Sequence, residues 1–213
     1  MSESTHAVPS ERRSRRRPGQ PPRGERNRLT RVEILKSAAA AFRKLGYHGA
    51  TVEQIASALK MKKGNLYHYF GNKEEILFAC HQYSLDRLLE MLDEVESSSV
   101  SADQKLHRLI VACVHMMLDE LHGTALLLDL EALSPAHLKT LIARRDRFDQ
   151  GLRQVIDEGM RTSAFAAGDT KLLSFAILGA VNWIPRWFNP DGPSSSQDIA
   201  DRFADYLIAG LRS

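Results

Sequence analysis

The sequence is poor in cysteine and contains no long apolar run. Only two of its 213 residues are cysteines, Cys80 and Cys113, and each lies within an apolar helical pattern. We therefore expect two buried thiols in a reducing compartment rather than a disulfide. No run approaches the roughly 18 apolar residues of a transmembrane helix, and residues 1–28 hold only three apolar residues, too few for a signal peptide. We expect a soluble cytoplasmic protein with no membrane partner.

Signatures of common enzyme classes are also missing. The sequence has no Gly-x-Ser-x-Gly elbow, no glycine-rich phosphate loop and no His-Glu-x-x-His motif. Cys113 and His115 are two residues apart and do not share a helix face, and Cys80 beside His81 does not give the paired spacing of zinc ligands. We expect no enzymatic activity, no metal and no cofactor.

Charge is abundant but unevenly distributed. The net charge is only +3, from 29 Lys and Arg against 26 Asp and Glu. Residues 1–74 carry 16 basic and 6 acidic residues, a net +10, whereas residues 75–213 carry 13 basic and 20 acidic residues, a net −7. This split predicts a polyanionic partner for the first part only. A lysine-rich surface can also be merely solvated, so charge alone does not establish DNA binding.

Segments that alternate between apolar and polar residues are absent as well, so we predict an all-α fold. Residues 1–27, rich in Arg, Pro, Ser and Gly, are predicted to be a disordered basic arm. From Leu29 onward apolar residues recur every three or four positions, as in amphipathic helices. We divide this helical part into a small unit over residues 28–74 and a larger domain over residues 75–213.

Residues 51–70 have the layout of a helix-turn-helix. Thr51 is placed to cap a helix of about two turns, with Gln54 as its capping-box partner. A third short helix, predicted to run through Phe70, follows a tight turn, and Asn72 is placed to cap a much longer helix. In this motif the second helix of the pair lies in the major groove, and its first residues meet base edges.

The first turn of that second helix carries residue types suited to DNA. Lys62 and Lys63 bring positive charge to phosphates, Gly64 permits close approach of the backbone, and the amide of Asn65 can read a base edge. The alternative is that the lysines form an ordinary solvated face.

Four further positions complete the predicted DNA surface. Helical spacing turns Tyr67 and His68 outward, while their neighbours point to the core. Thr51 and Lys73 bracket the unit, where a hydroxyl, helix N-terminal amides and an ammonium can bind phosphate.

Three runs in this region closely resemble the N-terminal domain of TetR-family transcriptional regulators: TVEQIASAL at 51–59, KGNLYHYF at 63–70 and NKEEIL at 72–77. The resemblance covers about residues 28–78. It departs in the turn, where the family usually has Gly, a small apolar residue and Ser, and this chain has Lys60-Met61-Lys62. The resemblance implies that the DNA-contacting positions are Thr51, Lys63, Asn65, Tyr67, His68 and Lys73.

The arginine-rich arm precedes this unit directly. A flexible basic arm can lie in the minor groove or along the DNA backbone and adds affinity with little sequence information. We favour a solvated tail with a general electrostatic attraction over a specific minor-groove hook.

The last two long helices are candidates for a dimer interface, because helix-turn-helix proteins usually pair on half-sites one helical turn apart. Small residues would let these helices approach closely, among them Ala176 and Gly179 on one and Ala200 and Ala204 on the other. These stripes can alternatively be core within one protomer. The TetR resemblance implies a homodimer joined by a four-helix bundle of these two helices from each protomer.

Residues 179–192 hold the candidate ligand site. Trp183 and Trp187 are four residues apart, Asn182 and Arg186 lie on the next face, and Pro185 should kink or tighten the helix. Aromatic walls with an amide and a guanidinium suit a large ligand with apolar and anionic parts. The stretch resembles TetR regulators that respond to acyl-coenzyme A thioesters in fatty-acid, aromatic-acid and steroid degradation.

More distant residues extend this hypothesis. Arginines between residues 144 and 161 are further candidate cations for coenzyme A phosphates, and the helix faces that bear Met117 and Phe148 can line an acyl tunnel. The alternative for the tryptophans is a role in the core or at the dimer interface, and for Met117 and Phe148 a place in the core.

Together these features predict a ligand-responsive repressor that binds a palindromic operator as a homodimer and is released by an inducer, an acyl-coenzyme A thioester. The rival within regulators is a sensor of a free hydrophobic drug or signal. The rival from another class is a helical scaffold protein whose basic face binds polyanions or membranes without specificity.

Overall fold

The structure is a computed structural model that describes residues 23–118 and 130–212, and every regular element in these ranges is helical. The all-α prediction is confirmed. No helix in these ranges is long and apolar enough to cross a membrane. The helices are α1 (Arg23–Gly49), α2 (Val52–Ala58), α3 (Lys63–Tyr67), α4 (Lys73–Ser97), α5 (Ala102–Leu118), α6 (Pro135–Arg161), α7 (Thr170–Trp183) and α8 (Ser196–Ala209), with short 3-10 turns at Leu130–Ala132 and Ile184–Arg186.

Helices α1 to α3 form the head of the molecule. α1 buries residues spaced by three and four, including Ile34, Ala38 and Phe42, against α2 and α4, and its helical path is broken at Gly46, where φ is +70°. Ile55 of α2 and Leu66 of α3 are fully buried in the same core. The head is therefore a small bundle that fixes two short helices against a long one.

The predicted caps of the head are confirmed. The Thr51 hydroxyl accepts from the Gln54 amide N–H, the Gln54 side chain accepts from the Thr51 amide N–H at 2.8 Å, and Asn72 Oδ1 accepts from the Glu75 amide N–H at 2.8 Å. The third helix is shorter than predicted and ends at Tyr67. Phe70 is still buried, because the chain turns back after α3 and the Phe70 amide N–H donates to the Leu66 carbonyl.

Helices α4 to α8 form the body, with α5 at its centre in contact with α4, α6, α7 and α8. Ser134 caps α6, and Pro135 occupies its first position. The predicted effect of Pro185 is confirmed, because α7 ends at Trp183 and the chain tightens into a 3-10 turn. A short apolar segment, residues 126–133, precedes Ser134 in the sequence, and most of it lies outside the described residues.

Candidate nucleic-acid interface and ligand cavity

The first turn of α3 is open to solvent. Lys62, Lys63, Gly64 and Asn65 are all exposed, and Lys62 stands at the N-cap position without a capping side chain. A Cβ built at Gly64 would meet no atom within 4 Å, so nothing in the described structure covers the backbone there. The structure therefore places four of the predicted DNA residues together at one exposed helix end.

The other predicted DNA residues flank this helix end. Tyr67 and His68 are exposed at the end of α3, and Thr51 is exposed at the start of α2. These positions agree with the predicted outward orientation, and their contacts with DNA stay predictions.

The turn between α2 and α3 adds one further exposed lysine, Lys60, to this surface. Lys60 has a φ of +54°, the left-handed conformation that glycine adopts most readily, and it stands where the TetR resemblance expects glycine. The turn is held by the Lys60 and Met61 amide N–H groups, which donate to the Ser57 and Ala56 carbonyls at 2.9 Å each. Lys60 and Lys62 form no ion pair with any residue that the structure describes.

Lys63 differs from those lysines because it has a carboxylate partner. Its ammonium forms an ion pair with Glu53 of α2 and lies 5.6 Å from the centroid of the Tyr67 ring. The hydrogen bond between the two side chains lowers the pKa of Glu53 and raises the pKa of Lys63. Sequence reasoning did not single out Glu53, since the pairing depends on how α2 and α3 cross.

Lys73 is placed differently from the prediction that it contacts phosphate. Its ammonium donates to the Tyr47 carbonyl at 2.8 Å and to the Ala50 carbonyl at 3.0 Å, and it lies 4.3 Å from the centroid of the Tyr47 ring. The side chain thus ties the start of α4 to the loop before α2. A phosphate contact through its remaining proton stays a prediction.

The residue after Lys73 joins the start of α4, next to the head, to the start of α6. Glu74 Oε1 accepts from the Ser134 amide N–H at 2.8 Å and from His137 Nδ1 at 2.7 Å. The His137 ring stacks on Phe78 of α4, with centroids 3.9 Å apart. Burial opposes ionisation of Glu74, but these hydrogen bonds outweigh it and hold the pKa of Glu74 below its ordinary value. This junction, Glu74 with Ser134 and His137, links α4 to the start of α6.

A cavity of about 280 Å³ lies in the body among α4, α5, α6 and α7. It contains three of the predicted ligand residues, Met117, Phe148 and Asn182. Its polar margin includes Arg145, and burial lowers the pKa of that guanidinium. The walls are mostly apolar, formed by Leu85, Leu88, Cys113, Met116, Met117, Phe148, Phe175 and Leu178.

The other three predicted ligand residues do not line this cavity. Trp183, Arg186 and Trp187 are exposed, with the Arg186 guanidinium 5.4 Å from the Trp183 ring centroid and Trp187 stacked on Phe203 at 5.8 Å. The predicted site is therefore divided, because the turn of α7 that points Asn182 to the cavity points Trp183 to solvent.

An exposed apolar stripe runs along α7 at helical spacing. Trp183 is 61 % exposed, and a Cβ at Gly179 would meet no atom within 4 Å. Tyr206 on α8 is 70 % exposed. The stripe comprises Leu172, Phe175, Ala176, Gly179 and Trp183. Side chains of this size and spacing are typical of a face that another helix covers.

The two cysteines are both free and buried, as predicted. Burial raises the pKa of the Cys80 and Cys113 thiols to about 12, so neither is a reactive thiolate near neutral pH.

Both halves of the chain match known protein families. Residues 34–80 match the family described as bacterial regulatory proteins, tetR family, and residues 99–211 match the tetracyclin repressor-like C-terminal domain. The transcriptional repressor KstR2 of Mycobacterium tuberculosis strain H37Rv is 25 % identical over 185 residues, which cover 85 % of this chain and 92 % of the repressor.

Two solved structures extend the comparison. PfmR, a regulator from Thermus thermophilus, has a TM-score of 0.75 and 32 % identity, with 84 % of this chain and 99 % of PfmR covered. AibR, solved in complex with isovaleryl coenzyme A and operator DNA, has a TM-score of 0.69 and 25 % identity, with 85 % and 97 % covered.

Proposed function

The chain belongs to the TetR family of bacterial transcriptional regulators, and from this premise we propose that it represses transcription as a homodimer on a palindromic operator and is released by a small-molecule effector. The observation that carries the proposal is the open first turn of α3, where cationic side chains and the Asn65 amide surround a helix N-terminus. Regulators of this family bind DNA and are not enzymes.

Operator recognition would place α3 in the major groove. Asn65 can donate to and accept from a single base edge, while Lys62 and Lys63 neutralise phosphates or reach guanine. The α2 N-terminus with Thr51 would face the sugar-phosphate backbone. Lys73 would act indirectly, by holding the loop that orients α2.

Dimerisation through α7 and α8 is supported by the apolar stripe on α7. A lone protomer would leave Trp183 and Leu172 largely in water, whereas a second copy related by a two-fold axis would bury both stripes at once. Two heads held in this way can reach half-sites about 34–36 Å apart.

We place the effector in the cavity among α4 to α7. The proposal of an acyl-coenzyme A thioester draws on AibR, whose complex contains isovaleryl coenzyme A. A volume of about 280 Å³ can enclose an acyl chain but not a whole coenzyme A. The coenzyme would then extend past Asn182, toward Arg186 and Trp183 on the surface.

The effector would act by shifting the population of head orientations. The cavity is lined by α6, and the start of α6 is bound to Glu74 at the base of the head. A small displacement of α6 would therefore reach the loop held by Lys73. A coupling of about 1–3 kcal/mol changes operator affinity about 5- to 150-fold, and a protein that holds its effector can still bind the operator more weakly.

A free hydrophobic effector is the second candidate, favoured by the apolar walls and by the carboxylate partners of the nearby Arg144, Arg147 and Arg153. A thermal-shift panel distinguishes the two. We expect acyl-coenzyme A thioesters to raise the melting temperature of the protein more than their free acids or coenzyme A alone do. Leu178→Trp, which fills the cavity, should abolish the shift. Stabilisation by the free acids alone would instead support the second candidate.

A further inference from the structure

Glu53 is an acidic residue in a basic part of the sequence. Residues 34–73 contain seven Lys and Arg and a single acidic residue, Glu53. It is exposed on α2, and its carboxylate is bound to the ammonium of Lys63 in the first turn of α3. The one acidic side chain of residues 34–73 thus lies beside the helix end that the proposed function places in the major groove.

The ion pair with Glu53 makes the Lys63 ammonium less available to DNA phosphates. Affinity for DNA of any sequence comes mainly from cations that neutralise phosphates and release counterions. Lys63 can contribute in this way only if it leaves Glu53, and the carboxylate then faces a polyanion without a partner. Lys60 and Lys62 have no such competitor among the described residues.

We infer that Glu53 is an electrostatic brake on DNA binding, a side chain that competes with phosphates for Lys63 and lowers the affinity of the head for duplex DNA whatever its sequence. The inference rests on the proposed DNA-binding function. A brake of this kind serves a regulator because nonspecific sites vastly outnumber operators.

The test is the affinity of the full-length protein for a labelled random-sequence duplex, measured by fluorescence anisotropy over a range of salt concentrations. Glu53→Gln should bind about fivefold more tightly at low salt, and its salt dependence should be steeper by about 0.9, the value for one further phosphate contact. Glu94→Gln removes the same charge from an exposed site near the far end of α4, and it should change affinity less than about twofold.

A double-mutant cycle shows whether the effect passes through Lys63. In a Lys63→Gln background, Glu53→Gln should give a clearly smaller gain than in the wild-type background and should leave the salt dependence unchanged, because only the repulsion of the carboxylate is removed and no lysine is released. The inference is overturned if Glu53→Gln behaves like Glu94→Gln, or if its full gain persists without Lys63. Failure of the wild-type protein to bind any duplex would instead overturn the proposed function, and with it this inference.

Discussion

Two of the three lysines at the tip of the head have no carboxylate partner among the described residues, whereas four arginines of α6 in the body are bound by carboxylates. Lys60 and Lys62 have no ion-pair partner among the described residues. In the body, four arginines that the sequence offers as candidate cations for a ligand's phosphates are paired: Arg144 with Asp86, Arg147 with Asp93 and Glu96, Arg153 with Asp149, and Arg161 with Asp157. The cations of the two regions therefore differ in their partners. Lys60 and Lys62 of the head are available to an external polyanion, whereas the four arginines of α6 bind carboxylates of the same chain.

Apolar residues show the opposite contrast. The large apolar side chains of α2 and α3 are buried apart from Tyr67, while the body leaves an apolar stripe on α7 exposed and a cavity inside. A head with a closed core and open charges is suited to DNA, and a body with an open apolar face is suited to another helix surface.

The largest effect is expected from a substitution at Gly179, in the exposed apolar stripe of the body. Gly179→Glu introduces a charge at the middle of the α7 stripe, where the protomer has room for a side chain. A symmetric dimer would bury two opposed carboxylates, so we expect the dimer dissociation constant to rise by about 1000-fold. Sedimentation equilibrium measures this change. Ile142→Glu, at a residue 48 % exposed on α6, is the control and should remain dimeric. Equal behaviour of the two variants would refute the interface.

Removing two side chains of the head that we propose to contact DNA bases should have the next largest effect. The double variant Lys63→Ala and Asn65→Ala is expected to lose at least about 100-fold in operator affinity, because each base contact is worth about 1–3 kcal/mol. Both side chains are exposed, so the melting temperature should stay within a few degrees. Gel shift with a selected operator gives the affinity, and an unchanged affinity would exclude this end of α3 from the interface.

The contact between the start of α4, next to the head, and the start of α6 is tested by Glu74→Gln. We expect a loss of about 1–2 kcal/mol in the free energy of unfolding near neutral pH, because the variant weakens the hydrogen bonds from Ser134 and His137. Folding lowers the pKa of Glu74, so its contribution is full above the ordinary value of 4.5 and is lost as pH falls through the lowered value.

Urea unfolding across the acidic range follows this pH dependence. The difference between wild type and Glu74→Gln should be constant at higher pH and shrink as pH falls below 4.5. Glu90→Gln, exposed on the same helix, should show no such difference. A gap between wild type and Glu74→Gln that does not depend on pH would contradict the role of the ionised carboxylate.

The smallest expected effect concerns the left-handed residues, one in each region. Lys60→Gly and Ser163→Gly should each stabilise the fold by about 0.5–1 kcal/mol, because φ is +54° and +57° at these positions. Only Lys60→Gly should also weaken duplex binding, through the lost charge. Chemical denaturation and anisotropy separate the two effects, and equal DNA affinity of both variants would remove the turn from the DNA surface.

The helix caps of the head could be predicted because each cap depends on residues that are close together in the sequence. The cap at Thr51 depends on Gln54 three residues later, and Asn72 caps the helix that starts at the next residue. Contacts across the chain carry no such signal. Glu74 and His137 are 63 residues apart, and Lys73 meets carbonyls more than 20 residues away.

The predicted ligand residues are divided between the cavity and the surface for a similar reason. Periodicity places Asn182 and Trp183 on adjacent faces of one helix, but it does not tell which face meets a cavity and which meets solvent. The answer depends on how α7 packs against α5 and α6. The same packing decides that Met117 and Phe148 lie at the cavity wall.

The most direct test of the central claim is selection of bound duplexes from a random-sequence pool by the purified full-length protein, followed by sequencing. We expect an enriched palindrome whose half-site centres lie about 10 base pairs, or a multiple of one helical turn, apart. Enrichment of no sequence at all, or of an isolated half-site without its symmetric mate, would contradict it.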